Sequence, residues 1–358
     1  MKLFPAVLVA LSGIGSLALA DSAVGQTVVM SGLDNPRGLA FAPNGALYVA
    51  EAGRGGNGPC VVNGNTGETR CFGTTGAITR LWKGRQTRVA EGLESHAQPD
   101  GSSASGPNDI SFQGTGGAYI TLGLGGDRAF QAALGGRYSG HLIHMAASGK
   151  WQVVADILQH EVDENPAGGP VDSNPFGVLA EPGGRLVVDA GANALLRVAA
   201  NGKVETLAVF PPLTNPGSFG PPMIESVPTA VARAPDGTLY VGELTGFPFV
   251  QGLASIYHVV PGQPPVMHCT GFKTIMDLTF GPDGSLYVVE NATGPFPPPP
   301  PFAPNSGRLS RVNSDCTVTP LLVGLNRPTA VAVGADGAIY VTNNGVTAGA
   351  GEVLMIAP

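Results

Sequence analysis

The run Asn35-Pro-Arg-Gly-Leu-Ala-Phe-Ala-Pro-Asn-Gly-Ala-Leu-Tyr-Val-Ala-Glu51 carries the architecture. Leu39 and Phe41 alternate with small residues, as do Leu47 and Val49, which is the two-residue period of a strand. Between the two runs stands Pro43-Asn44-Gly45. Proline presets φ for a type I turn, asparagine tolerates the bridge region, and glycine accepts the left-handed position that follows. The stretch is therefore a β-hairpin. It returns as PNDISFQGTGGAYITLGLG from Pro107, NPFGVLAEPGGRLVVDAG from Asn174 and VPTAVARAPDGTLYVGELTG from Val227. Two further copies are IMDLTFGPDGSLYVVENATG from Ile275 and RPTAVAVGADGAIYVTNNG from Arg327. Anchored on Gly45, Gly116, Gly184, Gly237, Gly284 and Gly337, the repeats lie 71, 68, 53, 47 and 53 residues apart.

Working outward, each hairpin is followed by a second pair of strands. Gly76-Ala-Ile-Thr-Arg-Leu leads through Lys83-Gly84 to Thr87–Leu93, with counterparts at 140–157, 193–209, 254–272 and 307–325. Tandem four-stranded units of this length predict the antiparallel blades of an all-β, six-bladed β-propeller. The sixth unit runs through Gly351–Ile356 and is one strand short. Thr27-Val-Val-Met-Ser-Gly-Leu33 matches the missing strand, so the N-terminal strand is expected to close the last blade and abolish open edges. The propeller is read as a single domain over 26–356. Asp127–Gly136 and Val153–Glu164 read as helical or irregular insertions. Pro295–Pro304 reads as a proline-rich loop, a stiff spacer or a polyproline docking segment for an assembly partner.

Lys2 precedes an uncharged apolar stretch ending in Ala18-Leu19-Ala20, the pattern of a signal peptide over residues 1–20. No later segment is long and apolar enough to span a bilayer. The expectation is a secreted or periplasmic chain, free of the membrane once the leader is cut, and monomeric. Four cysteines agree with an oxidising compartment. Cys60 and Cys71 flank a Gly/Asn-rich loop, and Cys269 and Cys316 occupy equivalent outer regions of neighbouring repeats, so both pairs are disulfide candidates. The absence of a Cys-x-x-Cys spacing argues against zinc. A net charge of −7 without a basic cluster argues against nucleic acid.

Inner strands start at one mouth of a propeller channel, and second strands end there. Two rings of candidates follow. The first holds Arg37, Asn108, Asp109 and Asp277, with Phe176, Thr229, Met276 and Thr329 at matching positions. The second holds Glu51, Asp189, Glu243, Glu290 and Asn343. Such a mouth is where a small molecule or partner protein would bind. Oxygen ligands at Asn108 and Asp277 offer a site for a divalent metal, calcium or similar; acids at strand ends also serve to bond loop amides. Arg37 could neutralise these acids or hold an anionic ligand. No Gly-x-Ser-x-Gly elbow, dinucleotide fingerprint or P-loop occurs, and the six histidines read as packing or surface residues. Asn291-Ala-Thr293 is a formal glycosylation sequon.

The segments GLDNPRGLAFAPNGALYVAEAGRGG, GPNDISF, GLGGD, VDSNPFGVL, VVDAGANALLRV, SVPTAVA and VGELTGFPF resemble the ScyD/ScyE family of exported bacterial proteins, across about Thr27 to Ile356. The resemblance implies an NHL-like six-bladed propeller outside the cytoplasm. It also implies a ligand- or protein-binding module acting in or beside an extracytoplasmic, scytonemin-like metabolite pathway. The alternative is a periplasmic enzyme, either a metal-assisted, lactonase-like hydrolase or an oxidative coupling factor for aromatic metabolites. A more distant likeness is to gluconolactonase/SMP-30 propellers, whose metal ligands match this chain only at Asn108. Arg37, Phe176 and Thr229 depart from that pattern and count against the lactonase reaction.

Overall fold

The computed structural model describes residues 25–115, 117–294 and 302–358. The expected leader, Gly116 and most of the proline-rich loop lie outside these. Six antiparallel blades follow one another in the chain. Blade 1 is Pro36–Phe41, Leu47–Glu51, Thr69–Trp82 and Arg85–Ala97. Blade 2 is Pro107–Phe112, Ala118–Leu122, His141–Met145 and Trp151–Asp156. Blade 3 is Pro175–Glu181, Gly184–Asp189, Ala194–Ala199 and Val204–Val209. Blade 4 is Pro228–Arg233, Leu239–Glu243, Ala254–Val259 and Val266–Phe272. Blade 5 is Ile275–Phe280, Leu286–Glu290, Gly307–Val312 and Val318–Leu325.

Blade 6 shows the closure. Its inner three strands are Val331–Val333, Ile339–Asn343 and Gly351–Ile356, and its outermost strand is Gln26–Leu33. Val28 pairs with Leu354 and Met30 with Val353. Met30 and Leu33 then enter an apolar cluster with Leu39, Val49 and Val353, so the seam is packed as well as hydrogen-bonded. Similar clusters fill each of the other blade interfaces. The apolar core is thus six wedges around an axis, and each blade buries both faces against its neighbours.

The hairpin turns behave as their sequence dictates. Gly45, Gly237, Gly284 and Gly337 have φ between 82° and 92°. Each donates its N–H to the carbonyl three residues back at 2.8–2.9 Å. In blade 3 the left-handed glycine is Gly183 (φ 84°), and Gly184, the expected anchor, opens the next strand.

Departures from the repeat are local. Blade 1 carries an extra strand, Cys60–Val62, in register with Thr69–Cys71. The insertion expected over 127–136 is a helix, Arg128–Leu134, capped by the Asp127 carboxylate on the Phe130 N–H. The second insertion begins later than expected. Trp151–Asp156 pairs with His141–Met145 as the outer strand of blade 2, and only Ile157–Glu164 is helical, capped by Asp156. Leu213–Thr214 and Met223–Ile224 form a small hairpin before blade 4. Both disulfides form as paired from the sequence, Cys60–Cys71 and Cys269–Cys316, as an oxidising compartment permits. Among the described residues no helix is long and apolar enough to cross a membrane. Asn291 is buried and donates its amide to the Pro328 carbonyl, so the sequon is inaccessible in the folded chain.

Candidate functional site

Register fixes where the two expected rings lie. Pro36 pairs with Glu51, Pro175 with Asp189, Pro228 with Glu243 and Ile275 with Glu290, so first strands start and second strands end at one mouth. The second ring proves to be a set of internal ties. Glu51 accepts the Asp34 N–H at 2.7 Å, the Thr79 hydroxyl and the Arg88 guanidinium. Asp189 accepts the Ser173 hydroxyl and the Asn174 N–H, both at 2.6 Å, and the Ala192 N–H. Glu243 takes the Ser226 hydroxyl at 2.6 Å, and Glu290 takes the Lys273 N–H at 2.9 Å together with Arg308. Asn343 accepts the Asn326 N–H at 2.7 Å and donates to Glu352. In every case the residue ending the second strand fastens the segment that leads into the first. All four acids are at most 1% exposed. Burial pushes Glu243 up to about 7 and raises Asp189 as well.

The first ring clamps blade to blade. Asp109 accepts the Ile110 N–H and the Val178 N–H of blade 3 at 2.8 and 2.7 Å. Asp277, at the equivalent position of blade 5, does the same with Leu278 and with Val331 of blade 6 at 2.8 and 2.9 Å. Thr229 donates to the Ile275 carbonyl at 2.8 Å, and Thr329 to the Pro36 carbonyl at 2.7 Å. From the level of the two aspartates toward the hairpin turns runs a channel cavity of 290 Å³, walled by the inner strands of all six blades. Burial raises both carboxyls, Asp109 to about 7, and the Asp109 charge adds to the rise at Asp277.

These contacts do not fit the metal site read from the sequence. Asn108 turns its amide donor into blade 3, to the Pro175 carbonyl at 3.1 Å and Asn174 Oδ1 at 3.4 Å. Asp277 has both oxygens on backbone amides, those of Leu278 and Val331. Among the described residues, the group of three metal-type side chains within ligating distance is His268, Cys269 and Cys316. Two of these are joined in a disulfide.

What remains at the mouth is basic and aromatic. Arg37 donates to the Ala104 carbonyl at 2.6 Å, while its Nε is buried without a partner. Burial, with Arg327 and Arg70 nearby, holds its guanidinium down to about 9. Arg327 also has a buried, unpartnered Nε, and burial alone holds it down to about 10. Both stay charged at neutral pH, and among the described residues no carboxylate offsets either. Arg327 adopts φ 52°, a left-handed conformation that costs a branched or long side chain about 1–2 kcal/mol. Its guanidinium lies 4.1 Å from the centre of the Phe302 ring. Phe302 meets Phe249 at 4.7 Å, Phe249 meets Phe247 at 6.4 Å, and Phe247 meets Phe219 at 5.4 Å. Phe219 and Phe247 are 60% and 47% exposed. Across the channel, Phe176 and Leu244 pack on the cluster that holds Met276.

Of the residues expected from sequence, Arg37 alone keeps an unsatisfied polar atom buried in this region. Phe249 and Phe302 were missed because they lie in connections that do not repeat, and Arg327 was missed although it opens the sixth copy. One signal was present: Arg327 precedes Pro328 as Asn35 precedes Pro36 and Val227 precedes Pro228.

Fold and site together define a six-bladed β-propeller with a basic, aromatic mouth. Similar solved structures include a candidate glucose dehydrogenase from Thermus thermophilus, 19% identical over 92% of this chain and 99% of that one, with TM-score 0.55. A candidate gluconolactonase is 11% identical over 94% and 92%, with TM-score 0.55. A calcium-binding regucalcin from Agrobacterium tumefaciens is 14% identical over 93% of each chain, with TM-score 0.54. At such identity the likeness is one of fold. No family model and no curated protein matches the sequence.

Proposed function

We propose that this protein is an extracytoplasmic binding module, of ScyD/ScyE type, that receives a small anion at the channel mouth. One observation carries the reading. The acids expected there are spent on loop and strand amides, whereas Arg37 and Arg327 each keep a buried Nε without a partner and neither guanidinium faces a carboxylate in an ion pair. A buried cation without a counter-ion is costly, and a ligand carboxylate or phosphate would supply strong charge-assisted hydrogen bonds to it. The sequence resemblance supports the family and the compartment, the latter together with the two disulfides. The monomeric state and the leader over residues 1–20 belong to the same proposal.

A thermal-shift panel tests this. Organic carboxylates and phosphate should raise Tm in a concentration-dependent way, their neutral amides should not, and Arg37→Gln should remove the effect. Stabilisation by calcium instead, abolished by Asp277→Ala, would replace this reading with the metal-dependent hydrolase.

A further inference from the structure

We propose that the bond between Cys269 and Cys316 masks a metal site: once a dithiol reduces it, the two thiolates and the His268 imidazole bind a zinc ion. The site is separate from the channel mouth and does not depend on the anion reading. No Cys-x-x-Cys pair supplies two ligands from one segment, but the fold supplies them from two blades. A ring nitrogen of His268 and both sulfurs all lie within 4.8 Å of one another.

An irregularity in the ladder brings this about. Ile256 pairs with Cys269 and Tyr257 with Met267, so His268 is an extra residue in the outer strand of blade 4. Neighbours in a regular strand point to opposite faces, whereas a bulge re-aims a side chain. His268 thereby joins Cys269 on the side facing blade 5, where Cys269 belongs to the apolar cluster shared with Leu286 and Val312, and Cys316 packs against it. His258 stacks on the His268 ring, centroids 3.8 Å apart, and holds its orientation. A cavity of 440 Å³ is lined by His268, Tyr240, Asp283 and Arg311, a route for an ion and for the water that completes a four-coordinate shell.

Cys316 is half-buried and Cys269 is 1% exposed, so an incoming thiolate attacks Cys316 Sγ. The S–S bond breaks, its electron pair leaves on Cys269 Sγ, and a mixed disulfide forms on Cys316. The second thiolate of the reductant then displaces Cys316 Sγ and closes the reductant's own disulfide. In net terms one dithiol is oxidised and the two cysteines gain its two hydrogens. Zinc exchanges the two thiol protons for Zn–S bonds of about 2.3 Å and accepts His268 at about 2.0–2.1 Å. A tetrahedral set at those lengths has ligand atoms about 3.5–3.8 Å apart. The adjustment falls on Cys316, which stands in the surface turn between Asn313 and Thr317, with Ser314 and Asp315 exposed.

The test uses the mature chain carrying Cys60→Ser and Cys71→Ser, which leaves the two thiols at issue. After reduction with dithiothreitol and its removal without oxygen, cobalt(II) should bind at one per chain. Its spectrum should show thiolate charge transfer and the visible bands of a tetrahedral site. Zinc should displace the cobalt and raise the Tm of the reduced chain, leaving that of the oxidised chain unchanged. His268→Ala should weaken cobalt binding at least about tenfold. If reduction alone unfolds the chain, zinc should refold it, as read by circular dichroism. The proposal is overturned by a folded, reduced chain without the thiolate–cobalt band, or by an unfolded one that zinc does not refold. Equal cobalt affinity in His268→Ala, or the same band from the oxidised chain, would overturn it as well.

Discussion

Asp109 and Asp277 stand on opposite blades with their carboxyls in the channel wall, and their protonation couples to stability. Asp109 titrates near 3.8 when unfolded and near 7 when folded. Between those values the native state binds the extra proton, so its contribution is complete below pH 3.8 and lost as pH rises through 7. Asp277 has the same sign. His96 opposes them. It is 2% exposed, and burial with Arg70 pushes it down to about 3, so its term is present above pH 6.5 and lost as pH falls through 3. Tm measured against pH should therefore fall on both sides. Asp109→Asn should cost about 1 kcal/mol at pH 4.5 through a lost amide contact, yet stabilise by about 2–4 kcal/mol at pH 8. The crossing of the two melting curves is the observable. Gly38 is fixed by the same residue: a Cβ there would lie 2.6 Å from the Asp109 Cα. Gly38→Ala should destabilise by about 1–3 kcal/mol or more, read by urea unfolding. Repeat position was legible for all of these residues; which atoms they touch was not, because that depends on the neighbouring blade.

At the scale of elements, the first strand and the disulfides carry most consequence. Met30 and Leu33 are 2% and 1% exposed. Removing Gln26–Leu33 forfeits about 1.5–3 kcal/mol for each and leaves Gly351–Ile356 unpaired on one side. The truncated chain should lose its cooperative melt and bind a dye for exposed apolar surface. The Cys60–Cys71 bond closes a short local loop, while Cys269–Cys316 ties the outer strand of blade 4 to a turn of blade 5 across 47 residues. Chain entropy assigns about 3 kcal/mol to the first and about 4 to the second, so the Cys269→Ser, Cys316→Ser variant should melt lower than its counterpart at 60 and 71. The sequence showed these pairings and the terminal strand through position within the repeat. It did not show Cys60–Val62 as a strand or the hairpin at 213–224, since both lie in unique connections. The start of the second helix was misplaced because Val153 and Val154 carry strand chemistry beside a helical cap at Asp156.

For the whole molecule, repetition explains both what could be read and what could not. Turn chemistry and period repeat, so ring number and blade content follow from the chain alone. The mouth is built from the parts that break the repeat: Arg37 where the other blades carry Asn108, Phe176, Thr229, Met276 and Thr329, Arg327 where blades 1 and 3 carry Asn35 and Asn174, and phenylalanines in the connections. Acids at the strand ends looked like a binding ring because they recur at one level. Their recurrence instead reflects a tie made in blades 1, 3, 4 and 5, by Asn343 in blade 6, and lacking in blade 2, whose second strand ends at Leu122.

The seam imposes an order on assembly. Met30 and Val353 are neighbours in one ladder although almost the whole chain lies between them, and contacts of such separation slow folding. The earliest segment to be synthesised has no berth until the latest one emerges. A nascent polypeptide with its tail still tethered is therefore a stack of wedges with two raw flanks. Rigidity arrives at release, in a single latching event.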